Sequence, residues 1–367
     1  MTILVTGATG FLGGVTARTL AADGWTVRGL GRDLKKGAAL EADGVRFVEA
    51  DLRGADWDAL LDGVEGVVHA AARSTLWGHA ADFHADNVAP SAALAQACAR
   101  RGVRLVHVST PSVYNATGRT EQVREDTPVG PRFDSLYARS KWQAEQEVRA
   151  ALPDATVLRP RGIYGVGDTS IVPRLAAALR AGRLPRLTAH TDSVCFVDRS
   201  EDHRSVNSTP GTRFSPARSA RVESFCKHFN RSPYQEVWTD LTDVRNVAHA
   251  ITLALTRPAP GVFNVTDGQA IPLWATLDRL ADTLSVPRPA RRVPARLLEG
   301  VAAVLELGAR LHPDRPEPPL TASGVRLLTR PMTLDLTRAR ERLGYAPVVT
   351  PEQGFADVFA ALRGGAA

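Results

Sequence analysis

The sequence predicts an α/β fold, a doubly wound parallel sheet with a smaller C-terminal lobe. Its 367 residues contain short apolar runs that alternate with helical patterns, and a glycine-rich turn joins the first run to the first helix. This alternation is typical of a parallel sheet covered by helices, and a chain of this length can bury a large core. We expect the sheet to comprise residues 1–165 plus 239–266 and the lobe residues 166–191 plus 267–367, with residues 192–238 as an atypical insertion.

The N-terminal segment has the order strand, glycine turn, helix, strand. Thr2 to Val5 is a short apolar run, Phe11 to Ala22 has a helical pattern, and Thr26 to Leu30 is the next strand. In this context a glycine turn lets the backbone approach a dinucleotide pyrophosphate at a helix N-terminus. The alternative is a glycine turn that binds nothing. The candidate cofactor-binding residues of the turn are Gly7, Thr9, Gly10, Phe11, Leu12 and Gly13.

The remaining elements of the sheet follow from the same patterns. Apolar runs that suit buried strands recur along the chain, and one helix is predicted between the last two of them. The strands are Val45–Val48, Gly66–His69, Val103–Val108 and Thr156–Arg159, and the helix is Tyr137–Ala150.

Tyr137 and Lys141 form the candidate acid–base pair. They are four residues apart on the predicted helix, so their side chains share one face. A free tyrosine has a pKa of about 10, and a nearby ammonium together with an oxidised nicotinamide would lower it. The alternative is an ordinary solvated contact, but the chain has only four lysines, which favours the chemical interpretation.

These two segments resemble a known family. Thr6-Gly7-Ala8-Thr9-Gly10-Phe11-Leu12-Gly13 and Tyr137-Ala138-Arg139-Ser140-Lys141 are similar to the signatures of the extended short-chain dehydrogenase/reductases. The resemblance implies a Rossmann domain that binds NAD(P) and a separate substrate lobe. It also implies a catalytic hydroxyl on Thr110, with Ser109 as the runner-up, a proton exchanged by Tyr137, and Lys141 on the nicotinamide ribose.

The resemblance carries further positions over singly. Each follows a strand of the predicted sheet. The implied cofactor contacts are Asp51, Leu52, Ala70, Ala71, Ala72, Pro160 and Ile163, in addition to Tyr137 and Lys141. After the second strand, Arg32 would pair with the 2′-phosphate of NADP, whereas Asp33 would suit the ribose hydroxyls of NAD. We favour NADP and leave NAD open.

Other stretches are similar to the 3β-hydroxysteroid dehydrogenase branch, and in particular to bacterial 2-alkyl-3-oxoalkanoate reductases. These include Trp77-Gly78 and Ser109-Thr110-Pro111-Ser112-Val113. The branch implies a large apolar ketone or secondary alcohol as the substrate. The alternatives are a nucleotide-sugar epimerase or dehydratase and a non-catalytic NAD(P)-binding protein. Sugar-nucleotide dehydratases carry two carboxylates where this chain has Pro111 and Ser112, which argues against that class.

Composition narrows the class of partner. The net charge is +6, but most of it lies between residues 203 and 233, so nucleic-acid binding is not expected. Three cysteines give neither a disulfide framework nor a zinc spacing, and no metal site is expected. We expect no signal peptide and no transmembrane segment, a cytoplasmic location, and a homodimer formed through the helix that carries Tyr137. The apolar helix Ala295–Leu311 is interpreted as a core helix, or else as a pocket wall or membrane contact.

The segment 192–238 has no leucine and no visible period. We interpret it as an inserted, disordered surface loop. A lid over the substrate pocket and a local frameshift are the alternatives, and a frameshift would leave the enzyme inactive.

Overall fold

A computed structural model describes residues 1–188, 236–312 and 315–364. The predicted insertion therefore lies almost wholly outside the described residues, as do the loop, lid and frameshift interpretations of it.

The described strands follow one another in this order along the chain. They are β1 (Thr2–Thr6), β2 (Thr26–Gly31), β3 (Arg46–Glu49), β4 (Gly66–His69), β5 (Arg104–Val108), β6 (Thr156–Pro160), β7 (Ile163–Tyr164), β8 (Arg186–Thr188), β9 (Trp238–Thr239), β10 (Thr242–Asp243), β11 (Gly261–Val265), β12 (Ile271–Pro272) and β13 (Arg292–Pro294).

The helices alternate with the strands in the first half and dominate the second. They are α1 (Phe11–Ala22), α2 (Leu34–Ala42), α3 (Trp57–Leu60), α4 (Ala80–Phe83), α5 (Ala89–Arg101), α6 (Leu136–Ala151), α7 (Ile171–Arg180), α8 (Val244–Thr256), α9 (Leu273–Thr283), α10 (Ala295–Leu311), α11 (Ala322–Thr329) and α12 (Pro351–Gly364). Two π-helical turns (His84–Val88 and Ala339–Leu343) and a 3-10 turn (Pro111–Tyr114) join them.

The main sheet confirms the predicted doubly wound topology. Its order is β11-β6-β5-β4-β1-β2-β3, and every neighbouring pair is parallel. The chain reverses its direction of winding between β1 and β4, and in such sheets ligands bind at the carboxyl edge beside this switch point. Four of the five residues of β1 are buried, because helices cover both faces of the sheet.

A second group of buried side chains lies beside the sheet. It joins residues of α7, α9, α11 and α12 around Trp274 and Phe355. The π-helical turn Ala339–Leu343, which was expected in the lobe, packs into the core of the sheet. Part of the C-terminal region therefore belongs to the core of the sheet and not to the lobe.

Helix α10 has the predicted bounds, but the interpretation of it as a core helix is wrong. Only Ala295, Ala302 and Ala309 are buried, and they recur every seven residues on one face. Most of the large apolar side chains point to solvent, with Val304 71% and Leu311 79% exposed. The alanines, together with the half-buried Leu298, form the face that meets the rest of the protein.

Within the described residues, no helix combines the length and the apolar character that crossing a bilayer requires.

Candidate active site

The glycine turn after β1 leaves the first turn of α1 open to a ligand. Gly7 has a φ of +70°, and a Cβ on it would lie 2.9 Å from the Cα of Ala71. A Cβ on Gly13 would lie 2.2 Å from the carbonyl oxygen of Gly7. Gly10 begins the helix without a side-chain cap. Backbone N–H groups at this end of α1 can therefore meet a phosphate, and the cradle fits a dinucleotide pyrophosphate.

The other residues of the turn fall into two groups. Thr9 contacts Gly31 at the end of β2, where a Cβ would lie 2.5 Å from its Cγ2. Phe11 lies close to Gly165, which follows β7. Leu12 points the other way and packs against the core of the sheet, so only its backbone, and not its side chain, faces the turn.

Two charged residues follow β2. The side chain of Arg32 is exposed, and the carboxylate of Asp33 accepts a hydrogen bond from its own helix. Asp33 caps α2 by accepting a hydrogen bond from the backbone N–H of Lys36 at 3.0 Å. Arg32 is exposed, and its Nη1 lies 3.6 Å from an oxygen of Asp51. Asp51 also accepts a hydrogen bond from the backbone N–H of Arg53 at 2.9 Å, and Leu52 lies between them, half-buried. The structure thus brings Arg32 beside Asp51 and directs Asp33 toward its own helix.

Hydrogen bonds to the last residue of β1 hold the loop that follows β4. Ala70, Ala71 and Ala72 follow the strand, and the backbone N–H of Ala71 donates to the hydroxyl of Thr6 at 3.2 Å. The Thr6 hydroxyl also bonds Nδ1 of His69 at 2.8 Å. Burial lowers the pKa of His69 to about 3, so this histidine is neutral and holds the strand end.

Thr110 and Tyr137 meet at the end of β5. Thr110 begins the 3-10 turn, and Tyr137 lies in the first turn of α6, which Ser135 caps by accepting from the N–H of Ala138 at 3.1 Å. The Thr110 hydroxyl lies close enough to Tyr137 to act on the pKa of its phenol, and it donates a hydrogen bond to the hydroxyl of Ser112 at 3.1 Å. Ser109, the alternative hydroxyl, donates instead to Glu145 at 3.0 Å. The structure therefore pairs Thr110, and not Ser109, with the tyrosine.

Burial and Thr110, rather than Lys141, act on the pKa of Tyr137 in this structure, and the lowering expected from Lys141 together with an oxidised nicotinamide stays a prediction. Burial raises the pKa of Tyr137, and Thr110 partly opposes this rise. Lys141 directs its Nζ to the backbone carbonyl of Val108 at 2.6 Å. Burial lowers the pKa of Lys141 to about 8, although Glu145 favours its charged form. Tyr137 is thus a neutral phenol at pH 7, which suits a proton donor.

A buried polar network beneath the pair was not predicted from the sequence. Arg159 on β6 is bound by Glu145 through two hydrogen bonds of 2.5 and 3.0 Å. It also donates to the hydroxyl of Tyr114, and its guanidinium stacks over the rings of Tyr114 and Trp142. Glu145 lies four residues after Lys141 on the same helix face, which was the available signal in the sequence.

Asn87 joins α6 to the loop that follows β4. Its amide donates to the hydroxyl of Ser140 at 2.9 Å, and that hydroxyl donates to the carbonyl of Tyr137 at 2.9 Å. Its amide oxygen accepts from the backbone N–H of Arg73 at 2.7 Å. These bonds fix the first turn of α6, and with it the position of the tyrosine.

Pro160 and Ile163 complete the carboxyl edge. Pro160 ends β6 opposite Val265, and Ile163 begins β7. Ile163 packs partly against the core of the sheet. All the segments that carry predicted site residues therefore end at one edge of the sheet. In the described ranges no cluster of three or more metal-ligating side chains occurs.

Known proteins resemble this chain in sequence and in fold. The model of the NAD dependent epimerase/dehydratase family matches residues 3–201. The uncharacterized protein YbjS of Escherichia coli K12 is 31% identical over 379 residues, which cover 99% of this chain and 98% of YbjS. A 2-alkyl-3-oxoalkanoate reductase of Stenotrophomonas maltophilia K279a is 31% identical over 370 residues, covering 96% of this chain and 97% of the reductase.

Among solved structures, a UDP-glucose 4-epimerase of Thermotoga maritima with UDP-glucose superposes with a TM-score of 0.68. The match covers 100% of each chain at 18% sequence identity. This likeness concerns the fold alone.

Proposed function

The chain belongs to the NAD-dependent epimerase/dehydratase family, and from this premise we propose that it interconverts a ketone and a secondary alcohol on a large apolar substrate. The substrate class is a 2-alkyl-3-oxo acid or a 3-ketosteroid. In the direction of reduction, Tyr137 donates the proton to the carbonyl oxygen and Thr110 hydrogen-bonds that oxygen. Lys141 holds the ribose next to the nicotinamide.

The proximity of Thr110 and Tyr137 at the carboxyl edge of the sheet is the observation that carries this proposal. Two hydroxyl groups that lie this close together can both reach one substrate oxygen. Because burial raises the pKa of Tyr137, the phenol keeps its proton at neutral pH and can give it to an oxygen on which charge develops. Oxidation of the alcohol would require the phenolate and is therefore favoured at high pH.

The residues present fit a nicotinamide dinucleotide. When bound, that cofactor supplies the hydride. The glycine turn would receive the pyrophosphate, with the backbone N–H groups of Phe11, Leu12 and Gly13 as its donors, while the N–H of Gly10 donates to the carbonyl oxygen of Gly7 at 2.8 Å. Asp51 and Leu52 lie at the adenine end, Ala70 to Ala72 line the path between, and Pro160 and Ile163 lie at the nicotinamide end.

We propose NADP as the preferred cofactor. Arg32 is exposed beside the end of β2, and Asp33 is engaged by the backbone N–H of Lys36. A guanidinium in this place suits a 2′-phosphate, whereas a carboxylate committed to capping a helix is less available to ribose hydroxyls.

The similarity to a 2-alkyl-3-oxoalkanoate reductase over 96% of the chain supports an apolar oxo acid as the substrate. The 3-10 turn after Thr110 contains Pro111 and Ser112 and no carboxylate, which leaves water elimination from a sugar nucleotide without acid–base groups at that place. We also propose that residues 1–165 plus 239–266, joined by the turn Ala339–Leu343, supply the cofactor domain, that residues 166–191 plus the rest of 267–367 supply the substrate lobe, and that the protein is a homodimer.

The test is oxidation of NADPH or NADH at 340 nm with a long-chain 2-alkyl-3-oxo acid and with a 3-ketosteroid. UDP-glucose is incubated separately with NAD or NADP and its products are separated by chromatography, because epimerisation and dehydration cause no net oxidation or reduction of the cofactor. We expect turnover of the oxo acid or the steroid with a preference for NADPH. Turnover of UDP-glucose alone would favour a nucleotide-sugar enzyme, and cofactor binding without any turnover would favour a non-catalytic NAD(P)-binding protein.

A further inference from the structure

A small cavity with three arginines lies beside Asp134, which accepts a hydrogen bond from Ser135, the residue that caps the helix carrying Tyr137. Arg161, Arg326 and Arg330 line it together with Asn115 and Asp134, and it has about 20 Å³ of room for water-sized groups. That space accommodates a small polar group rather than a whole ligand.

Arg161 is buried in the wall of the cavity, and the described groups around it do not satisfy all of its hydrogen-bond donors. The residue is 5% exposed, and among the described residues its buried Nε has no hydrogen-bond partner. Asp240 and Asp134 act on the guanidinium electrostatically and favour its charged form, while burial lowers its pKa to about 10. At neutral pH it is therefore a buried cation whose hydrogen-bond donors are not all used.

The two carboxylates near Arg161 accept hydrogen bonds from other donors. Asp240 accepts a hydrogen bond from the backbone N–H of Leu334 at 2.7 Å. Asp134 accepts from the amide of Asn115 at 2.9 Å and from the hydroxyl of Ser135 at 3.3 Å. Within the described residues, neither carboxylate accepts a hydrogen bond from the Arg161 side chain.

The other two arginines share a single acid. Arg326 lies 3.7 Å and Arg330 lies 3.9 Å from the same oxygen of Glu299. Both distances are too long for hydrogen bonds, so donors of these two arginines also remain for a ligand.

Three chain segments connect the cavity to the reacting groups. Asp134 precedes Tyr137 by three residues, Arg161 directly follows Pro160, and Asn115 ends the short 3-10 turn that Thr110 begins. The cavity is therefore built from residues that adjoin, along the chain, the segments carrying Thr110, Tyr137 and Pro160. In a 3-oxo acid a single carbon separates the carboxylate from the ketone carbon.

We propose that Arg161, assisted by Arg326 and Arg330, binds a carboxylate that lies next to the reacting ketone. This inference rests on the proposed ketone reduction and narrows its substrate class to oxo acids rather than neutral steroids. A buried guanidinium forms short charge-assisted hydrogen bonds with a planar carboxylate. A site built around such a bond discriminates strongly against an analogue that lacks the group.

The test compares the oxidation of a long-chain 2-alkyl-3-hydroxy acid with that of its methyl ester. The rate of each reaction is measured as the formation of NADPH. We expect wild-type kcat/KM for the acid to exceed that for the ester by about tenfold or more. In Arg161→Met, kcat/KM for the acid should fall to the value for the ester. The value for the ester should stay within about twofold of wild type, and this retained turnover also shows that the variant is folded. Arg161→Lys should recover part of the preference for the acid because it restores the charge.

Two further variants keep the test decisive. Arg330→Met removes a less buried cation of the same cavity and should lower the preference for the acid less than Arg161→Met does. Arg288→Met removes an exposed arginine outside the cavity and should change neither substrate. Equal wild-type use of acid and ester, or an equal loss of both in Arg161→Met, would overturn the carboxylate site.

A binding measurement distinguishes failure of the proposed reaction from failure of the carboxylate site. If neither compound is oxidised, calorimetric titration with the hydroxy acid tests the site by itself. Binding that is lost in Arg161→Met supports the site although the reaction proposal has failed. Absence of binding, or Arg161-dependent binding of UDP-glucose instead of the acid, overturns the site.

Discussion

Replacing Lys141 by methionine should stabilise the protein at neutral pH while removing its activity. Lys141 is 2% exposed, and burial lowers its pKa from 10.5 to about 8. That difference corresponds to about 3 kcal/mol of unfavourable free energy for holding the charge at this position. Loss of the hydrogen bond to the carbonyl of Val108 costs the variant about 1 kcal/mol, which leaves a net gain of about 2 kcal/mol.

The sign of the pH dependence follows from the lowered pKa. Below about pH 8 the lysine is protonated in both the folded and the unfolded protein, so the full cost of the buried charge is present. Between about pH 8 and 10.5 the unfolded chain binds the additional proton, and wild-type stability therefore rises with pH. Glu145 favours the charged lysine, whereas His69 and His107 have low pKa values and stay neutral throughout this range.

The assay is equilibrium urea unfolding of Lys141→Met and wild type at about pH 7 and about pH 10. We expect the advantage of the variant to be about 2 kcal/mol at the lower pH and to disappear at the higher pH. Lys35→Met removes an exposed lysine of α2 and should stay within about 0.5 kcal/mol of wild type at both. A variant that is less stable than wild type at pH 7, or a difference that does not change with pH, would refute this reasoning.

Three further predictions concern the site. Thr110→Val should lower kcat about 10- to 100-fold by removing a hydrogen bond to the reacting oxygen, whereas Ser109→Ala should mainly destabilise the protein by about 1–2 kcal/mol, because its partner is the buried carboxylate of Glu145. Arg32→Ala should raise the KM for NADPH about tenfold and leave that for NADH unchanged. Gly13→Ala should weaken cofactor binding at least about tenfold, because the new Cβ would lie 2.2 Å from a backbone oxygen of the glycine turn.

Each of these predictions has its own control. A loss of kcat in Ser109→Ala that equals the loss in Thr110→Val would reverse the assignment of the hydroxyl. Equal effects of Arg32→Ala on both cofactors, measured by steady-state kinetics, would exclude a 2′-phosphate contact. Gly300→Ala on α10, where a Cβ meets nothing within 4 Å, is the matched glycine variant and should leave cofactor affinity, measured by fluorescence titration, unchanged.

The sequence predicts the sheet well because its strands are short apolar runs between clear turn signals. The predicted and observed bounds of β1, β4, α1 and α10 agree within one residue, and the resemblance to the extended short-chain dehydrogenase/reductases is confirmed by the family match and by relatives along nearly the whole chain. The assignment to the oxidoreductases follows from the same relatives. Which face of α10 is buried was not predictable from its period, since its buried residues are alanines.

The site was predictable in its residue types but not in its partners. The choice between Ser109 and Thr110 stayed open in the sequence, since it depends on Glu145, which lies 36 residues further along. Arg159 and Arg161 are two residues apart on the end of β6, yet one is fully paired and the other is not. Such differences arise from contacts between elements that are distant in sequence, and no local pattern records them.

Reduction of the oxo acid with NADPH that carries deuterium at its transferable position tests the central claim most directly. Wild type should form a hydroxy acid with one deuterium on the carbinol carbon. Tyr137→Phe should bind NADPH as tightly as wild type and form this product about 100-fold or more slowly, because it lacks the proton donor. Equal rates in the two proteins, or a product without deuterium at that carbon, would contradict the account.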